Sequence, residues 1–219
     1  MVVSRVSVAQ DDDLCKEVSS AQIAAANPDA EQADYCDDTD HTFDIRGECR
    51  TNENAYKSIN KAIQKWEISK RGEIVATIAW MLYESDGWKN NIQHYPRYDP
   101  QVATRAMFSK EVVKDYAWDV RRDSYTYILT TVLSGQMPLS TAHEEIVRLV
   151  IEDEWSFGAG FWYLAKKAPE YHNQDGKLRS GSQDDFVNYM QFGVKANLTG
   201  SLDARLKWWQ AANNNIMVS

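Results

Sequence analysis

The run Ile74-Val75-Ala76-Thr77-Ile78-Ala79-Trp80-Met81-Leu82-Tyr83 carries no charge on any face and then meets a carboxylate, Glu84. A helix that is apolar all round has to be surrounded by other helices. The run therefore predicts a central buried helix. Ser69 serves as its N-cap and Glu73 complements the dipole in its first turn. Glycine at position 87, in Glu84-Ser85-Asp86-Gly87, is the expected stop.

A carboxylate at the end of a buried apolar helix is chemically informative. Burial disfavours the charged form of a carboxylic acid, and a glutamic acid that keeps its proton near neutral pH is what general acid catalysis needs. Trp80 and Met81, one turn earlier, are the expected apolar wall, and the Ser85 hydroxyl is placed to orient the acid or a water. The plainer reading is a surface helix end with an ordinary Ser-Asp-Gly exit. Within fifteen residues follow Trp88, Asn91, His94, Tyr95, Arg97 and Tyr98. Aromatic faces stack on sugar rings and amides bond hydroxyl and acetamido groups, so this loop has the chemistry of a saccharide cleft. The alternative is a loop pinned to the core by its aromatics.

Working outward, Ala55, Ile59, Ala62, Ile63 and Trp66 recur at helical spacing. Residues 87–104 read as a structured loop with a minor hairpin. Helices are expected at 109–118 and 122–134. Thr141 and Glu144 make a capping box for a helix to about Glu154, with Glu152-Asp153-Glu154 as its solvated end. The aromatic stretch from Phe157 to Lys167 begins with Gly158-Ala159-Gly160, which permits close helix contact. Ser182 caps a helix to about Ala196, and Ser201 one to about Asn213 whose Trp208-Trp209 pack on the core. No useful strand alternation and no repeat appear, so the fold class is all-α.

Residues 1–50 read as an N-terminal arm and 51–219 as the helical domain. The arm holds all three cysteines, Cys15, Cys36 and Cys49, without the spacing of a zinc site, which suggests a disulfide clip. Asp37-Asp38-Thr39-Asp40-His41 lacks the glycine and terminal glutamate of a calcium loop and reads as a solvated acidic stretch. His143, in Thr-Ala-His-Glu-Glu, does not form a zinc motif, and no cofactor or metal is implied. Asn197-Leu198-Thr199 is a glycosylation sequon. The small residues at 6–9 resemble the tail of a signal peptide, and together these features favour a secreted protein. The net charge of −8, with no basic run longer than two residues, excludes nucleic acid and anionic membranes as natural partners. No apolar run reaches the roughly 20 residues of a membrane span. A monomer is expected, its partner a polysaccharide or glycan.

Ala79-Trp80-Met81-Leu82-Tyr83-Glu84-Ser85-Asp86-Gly87-Trp88, followed by Asn91, resembles the catalytic-helix signature of the lysozyme superfamily. Goose-type lysozymes, lytic transglycosylases and plant-type chitinases end an apolar helix in Glu-Ser or Glu-Thr. Thr104-Arg105-Ala106-Met107-Phe108 resembles the Gly-Leu-Met-Gln segment that lines the same cleft. Phe157 to Leu164 resembles the Ala/Gly-rich helix packed on the catalytic one. Asn91-Ile92-Gln93-His94-Tyr95-Pro96 and Thr104-Arg105-Ala106-Met107 bring the chain closest to secreted ascomycete proteins, some of them muramidases. The glycine-rich turn of that group is here Arg97-Tyr98-Asp99-Pro100-Gln101-Val102-Ala103, without a glycine.

The resemblance implies a lysozyme-like fold and a secreted hydrolase of β-1,4 bonds in an N-acetylhexosamine polymer. Glu84 is the expected acid and Asp99 the expected second carboxylate. Ser85, Trp88, Asn91, His94, Tyr95 and Met107 are expected to face substrate, with Arg105 positioning the loop or the substrate. Two other readings stand beside it. One is a catalytically inactive glycan-binding or effector protein of the same fold. The other is a chitosanase or chitinase, the acidic surface suiting cationic chitosan.

Overall fold

The computed structural model describes residues 17–37, 47–172, 176–178 and 180–217. Among them the chain is mainly helical with one small hairpin, as the absence of strand alternation implied. The helices are α1 (Ser20–Ala26), α2 (Asn52–Lys65), α3 (Arg71–Glu84), α4 (Lys110–Val120), α5 (Arg122–Leu133), α6 (Leu139–Arg148), α7 (Asp153–Lys167), α8 (Gln183–Asn188) and α9 (Leu202–Asn215). The hairpin pairs β1 (Ile92–Gln93) antiparallel with β2 (Asp99–Ala103), matching Ile92 to Ala103 with an irregularity before Gln93.

Helix α3 is the centre. Every residue from Gly72 to Leu82 is buried, because α7 and α9 pack against it. The contact with α7 depends on the expected small residues. A Cβ added at Gly160 would lie 2.8 Å from Thr77 Cγ2 and 3.0 Å from Met81 Sδ, so the two helices touch backbone to side chain with no spare volume. The amphipathic helix α2 opens with a Thr51–Asn54 capping box and lays Ala55, Ile59, Ala62 and Ile63 against α7. On α9, Trp209 is buried beside Phe186 with ring centroids 6.1 Å apart, so the closing helix does pack on the core.

Several boundaries differ from the sequence reading for local reasons. Helix α3 is entered through Lys70 rather than capped by Ser69. Helix α6 starts at Leu139 behind Pro138, which has no N–H to leave unpaired, so the Thr141–Glu144 capping box does not form. It ends at Arg148, and Glu152-Asp153-Glu154 instead open α7, where acidic groups complement the helix dipole. Two of these acids are also paired across the fold, Asp153 with Arg50 at 2.7 Å and Glu154 with Lys61 at 3.1 Å. Ser182 caps α8 as expected, but the α-helix stops at Asn188 and continues as a π-turn over Tyr189–Gly193.

The arm is not all loop. Ser19 and Gln22 form a capping box for α1, which packs on α9 and α2, and a 3-10 turn follows at Pro28–Glu31. Val18, Ile23 and Ala30 belong to the one hydrophobic core. Cys36 and Cys49 form a disulfide; Cys15 and the acidic stretch at 38–41 lie outside the described residues. Among the described residues no helix is long and apolar enough to cross a membrane.

Candidate active site

Glu84 is the last residue of α3, and its side chain keeps 21% of its surface exposed. Trp80 lines the hollow beside it, as expected, but Met81 is fully buried, and the direct partner of Glu84 is a cation. Glu84 Oε1 lies 2.8 Å from Nη1 of Arg205, a buried residue of α9. The guanidinium sits 3.9 Å over the Tyr83 ring, and its Nε reaches Ser201 Oγ at 3.4 Å. An arginine only donates, so Oε1 acts as an acceptor here, and a proton carried by Glu84 would have to sit on Oε2.

Glu84 and Met107 are shared by two adjoining hollows of about 230 and 260 Å³. The first carries the acidic and amide side chains, with Asp86, Asn90, Gln93 and His94 beside Ile92 and Tyr95 in its wall next to Glu84. The second is mostly apolar, with Trp80, Phe108, Val112, Tyr163 and Val194 around the Glu84–Arg205 pair. Together they form a groove divided at Glu84 and Met107. Met107 stands at the divide because Thr104–Met107 make a tight turn, closed by paired backbone bonds between Ala103 and Phe108 of 3.1 and 2.8 Å.

The turn that delivers this wall uses left-handed backbone at residues other than glycine. Thr104 has φ 74° and Met107 φ 47°, while β2 over 99–103 is extended and needs no glycine. A β-branched residue in the left-handed region costs on the order of 1–3 kcal/mol and persists only where its surroundings hold it. Here the Thr104 N–H donates to Asn91 O at 2.7 Å. After α3 the backbone is left-handed at Asp86, Gly87 and Trp88 in succession. That turn is tied by the Gly87 N–H to Leu82 O at 2.8 Å, and by Asn27 and Tyr35, which both donate to Gly87 O. Burial, then the neighbouring Asp86, push the Tyr35 phenol well above its usual value, so it remains a donor.

Several residues expected at the substrate are structural ties. Ser85 is buried; its hydroxyl donates to Met81 O at 2.7 Å and accepts from the Trp88 N–H at 3.1 Å. Trp88 has no exposed surface: it packs edge-on to Phe157 and donates its indole N–H to Asn52 at 3.1 Å. Asn91 is buried and donates from Nδ2 to Ile151 O at 3.0 Å. Arg105 is also buried, stacked 4.9 Å over Phe157, with donors to Trp88 O and Glu48 O. Burial pushes its ionisation down to about 9, while Asp153 and Glu48 act in the opposite sense. Of its two expected roles, Arg105 has the loop-positioning one. Asp99 does not line either hollow; its carboxylate accepts from the Gln101 N–H at 3.0 Å and shapes the start of β2. His94, Tyr95 and Met107 do line the groove, and Tyr95 is 62% exposed. Asn197 is exposed, its side-chain oxygen accepting from the Thr199 N–H at 3.0 Å.

Two neighbours of the groove carried no sequence signal. One is Arg205. The other is Glu48, beside the disulfide, which binds the hairpin wall from the arm. Its Oε2 accepts from the N–H groups of Asn91 and Ile92 at 3.0 and 3.1 Å, and its Oε1 lies 2.9 Å from His94 Nε2. The arm therefore braces one wall of the groove. Asp86 lines the first hollow beside Glu84.

Among the described residues no group of three or more histidines, cysteines or acids is placed to hold a metal ion. No protein-family model, no curated protein and no solved structure matches the chain.

Proposed function

We propose that the protein is a secreted glycoside hydrolase of lysozyme-like type that cuts β-1,4 bonds in an N-acetylhexosamine polymer. The observation that carries this reading is the position of Glu84, shared by the two halves of one groove. A polymer lying along the groove crosses its carboxyl at the divide. Glu84 donates its proton to the bridging oxygen as the bond to the anomeric carbon breaks. It then takes a proton from the water that adds to that carbon, so acid and base are one residue. Tyr95 offers an exposed ring for stacking, and Asn90 and Gln93 offer amides in the same half. The disulfide Cys36–Cys49 supports an extracellular setting.

Two observations favour a second reading, a glycan-binding protein of the same fold without chemistry. Glu84 is already paired with Arg205, and Asp99 does not share the groove with it. Product formation separates the two. Wild-type protein and Glu84→Gln are incubated with peptidoglycan, chitin and chitosan, and reducing ends are counted. The hydrolase reading expects a loss of about 100-fold or more in the variant, the usual scale of general acid–base catalysis, with folding retained. Turnover unaffected in Glu84→Gln removes Glu84 from the mechanism. Glycan binding by wild type with no new ends on any polymer leaves the binding-protein reading.

A further inference from the structure

The two halves of the groove differ in charge and in the side chains they present more than a uniform polymer requires. In the half beside Asp86, two carboxylates face the hollow, and its described lining includes no lysine or arginine. His94 in that wall is paired with Glu48, and Lys89, the nearest lysine in sequence, lies 5.1 Å over the Tyr35 ring. The other half neutralises Glu84 with Arg205 and is otherwise walled by Phe108, Val112, Tyr163 and Val194. Trp80 closes that wall with its largely buried indole ring.

We infer that the preferred polymer is a partly N-acetylated glucosamine chain, seated with an acetylated sugar in the apolar half and a free-amine sugar in the half beside Asp86. This rests on the glycan reading of the groove and goes beyond it by naming the substituent pattern. The acetamido methyl is an apolar group that gains from leaving water against Phe108, Tyr163 and Val194. An ammonium in that half meets the Arg205 guanidinium and a Glu84 carboxylate already paired with it. In the other half it meets Asp86 beside Glu84, and the overall charge of −8 draws a cationic chain in while repelling an anionic one. The linkage between the two sugars then lies at Glu84.

The inference is tested by binding, which does not depend on turnover. Hexasaccharides that are fully acetylated, fully de-acetylated and mixed are titrated into Glu84→Gln protein by calorimetry. The mixed chain is expected to bind about fivefold more tightly than the fully acetylated one, the scale of one partly exposed ion pair. Adding Asp86→Asn should erase that advantage, and raised salt should shrink it. Equal affinity for all three, tightest binding of the fully acetylated chain, or an advantage that survives Asp86→Asn overturns the inference. With wild-type protein and a half-acetylated polymer, the two new ends at each cut should differ, one enriched in acetylated and the other in free-amine sugars; random ends overturn it. A binding preference without any cutting sinks the hydrolase reading and leaves this one standing. Cutting without a preference does the reverse, and no binding at all sinks both.

Discussion

Helix α3 and the turn that follows it are adjacent in the chain but held in opposite ways. From Ile74 to Leu82 the helix is fixed by apolar burial and by close helix contact. Among the described residues its long-range polar partners lie outside that stretch, as at the start, where Glu73 faces His172 at 3.5 Å. From Ser85 to His94 the chain is anchored by one buried ring, Trp88, and otherwise by polar bonds to distant residues: Asn27, Tyr35, Glu48, Asn52 and Ile151. The first kind of restraint is non-directional and tolerates little change of volume. The second is directional, and each bond can be removed singly. The carboxyl of Glu84 stands at the junction, so its position depends on both.

Crowding at the start of α3 should give the largest effect. A Cβ at Gly72 would come 2.0 Å from the Leu178 carbonyl oxygen and 2.8 Å from Gly181 Cα, both backbone atoms. Backbone cannot rotate away as a side-chain end can, so Gly72→Ala should cost about 3 kcal/mol or more. For a chain of this size that is a fall in Tm of roughly 6–12 °C. Thermal unfolding by circular dichroism reads it. An unchanged Tm would mean that α3 is not clamped by the 178–181 segment.

The same contrast explains what could be read from the sequence. The charge-free run at 74–83 specified a central helix because apolar burial leaves a pattern in neighbouring residues, and Gly158-Ala159-Gly160 specified its close partner for the same reason. Glu84 was legible as the end of that pattern. Its partner Arg205 was not, since an ion pair between helices far apart in the chain leaves no periodic mark. Nor was Glu48, or the burial of Trp88 and Arg105, because aromatic and basic residues in a loop suit a ligand or a core equally well until the fold chooses.

Release of the arm should give the next effect. Cys36 and Cys49 close a loop with a sequence separation of 13 residues. Chain entropy alone puts the loss for Cys36→Ser with Cys49→Ser at about 2–3 kcal/mol. Because Glu48 adjoins the bridge, activity or glycan binding should fall further than global stability does. Denaturant unfolding beside a binding titration makes the comparison. A drop in stability with unchanged binding would show that Glu48 keeps its place without the disulfide.

The smallest change, Glu48→Gln, is the sharpest probe of the polar region. A glutamine retains one oxygen for the Asn91 and Ile92 N–H groups but sets an amide donor against His94, whose ring must change tautomer to accept from it, so one of three bonds is weakened. A net loss of about 1 kcal/mol is expected. Its distribution matters more than its size. Amide hydrogen exchange should quicken at residues 91–94, whose restraint comes from Glu48, and stay unchanged at 76–82, whose restraint comes from packing. Uniform quickening would mean that the turn and α3 unfold as one unit, and that the two kinds of restraint are not separable in this protein. Confined quickening would mean that the groove wall can loosen while the helix carrying Glu84 stays fixed, because the bonds holding that wall come from the arm.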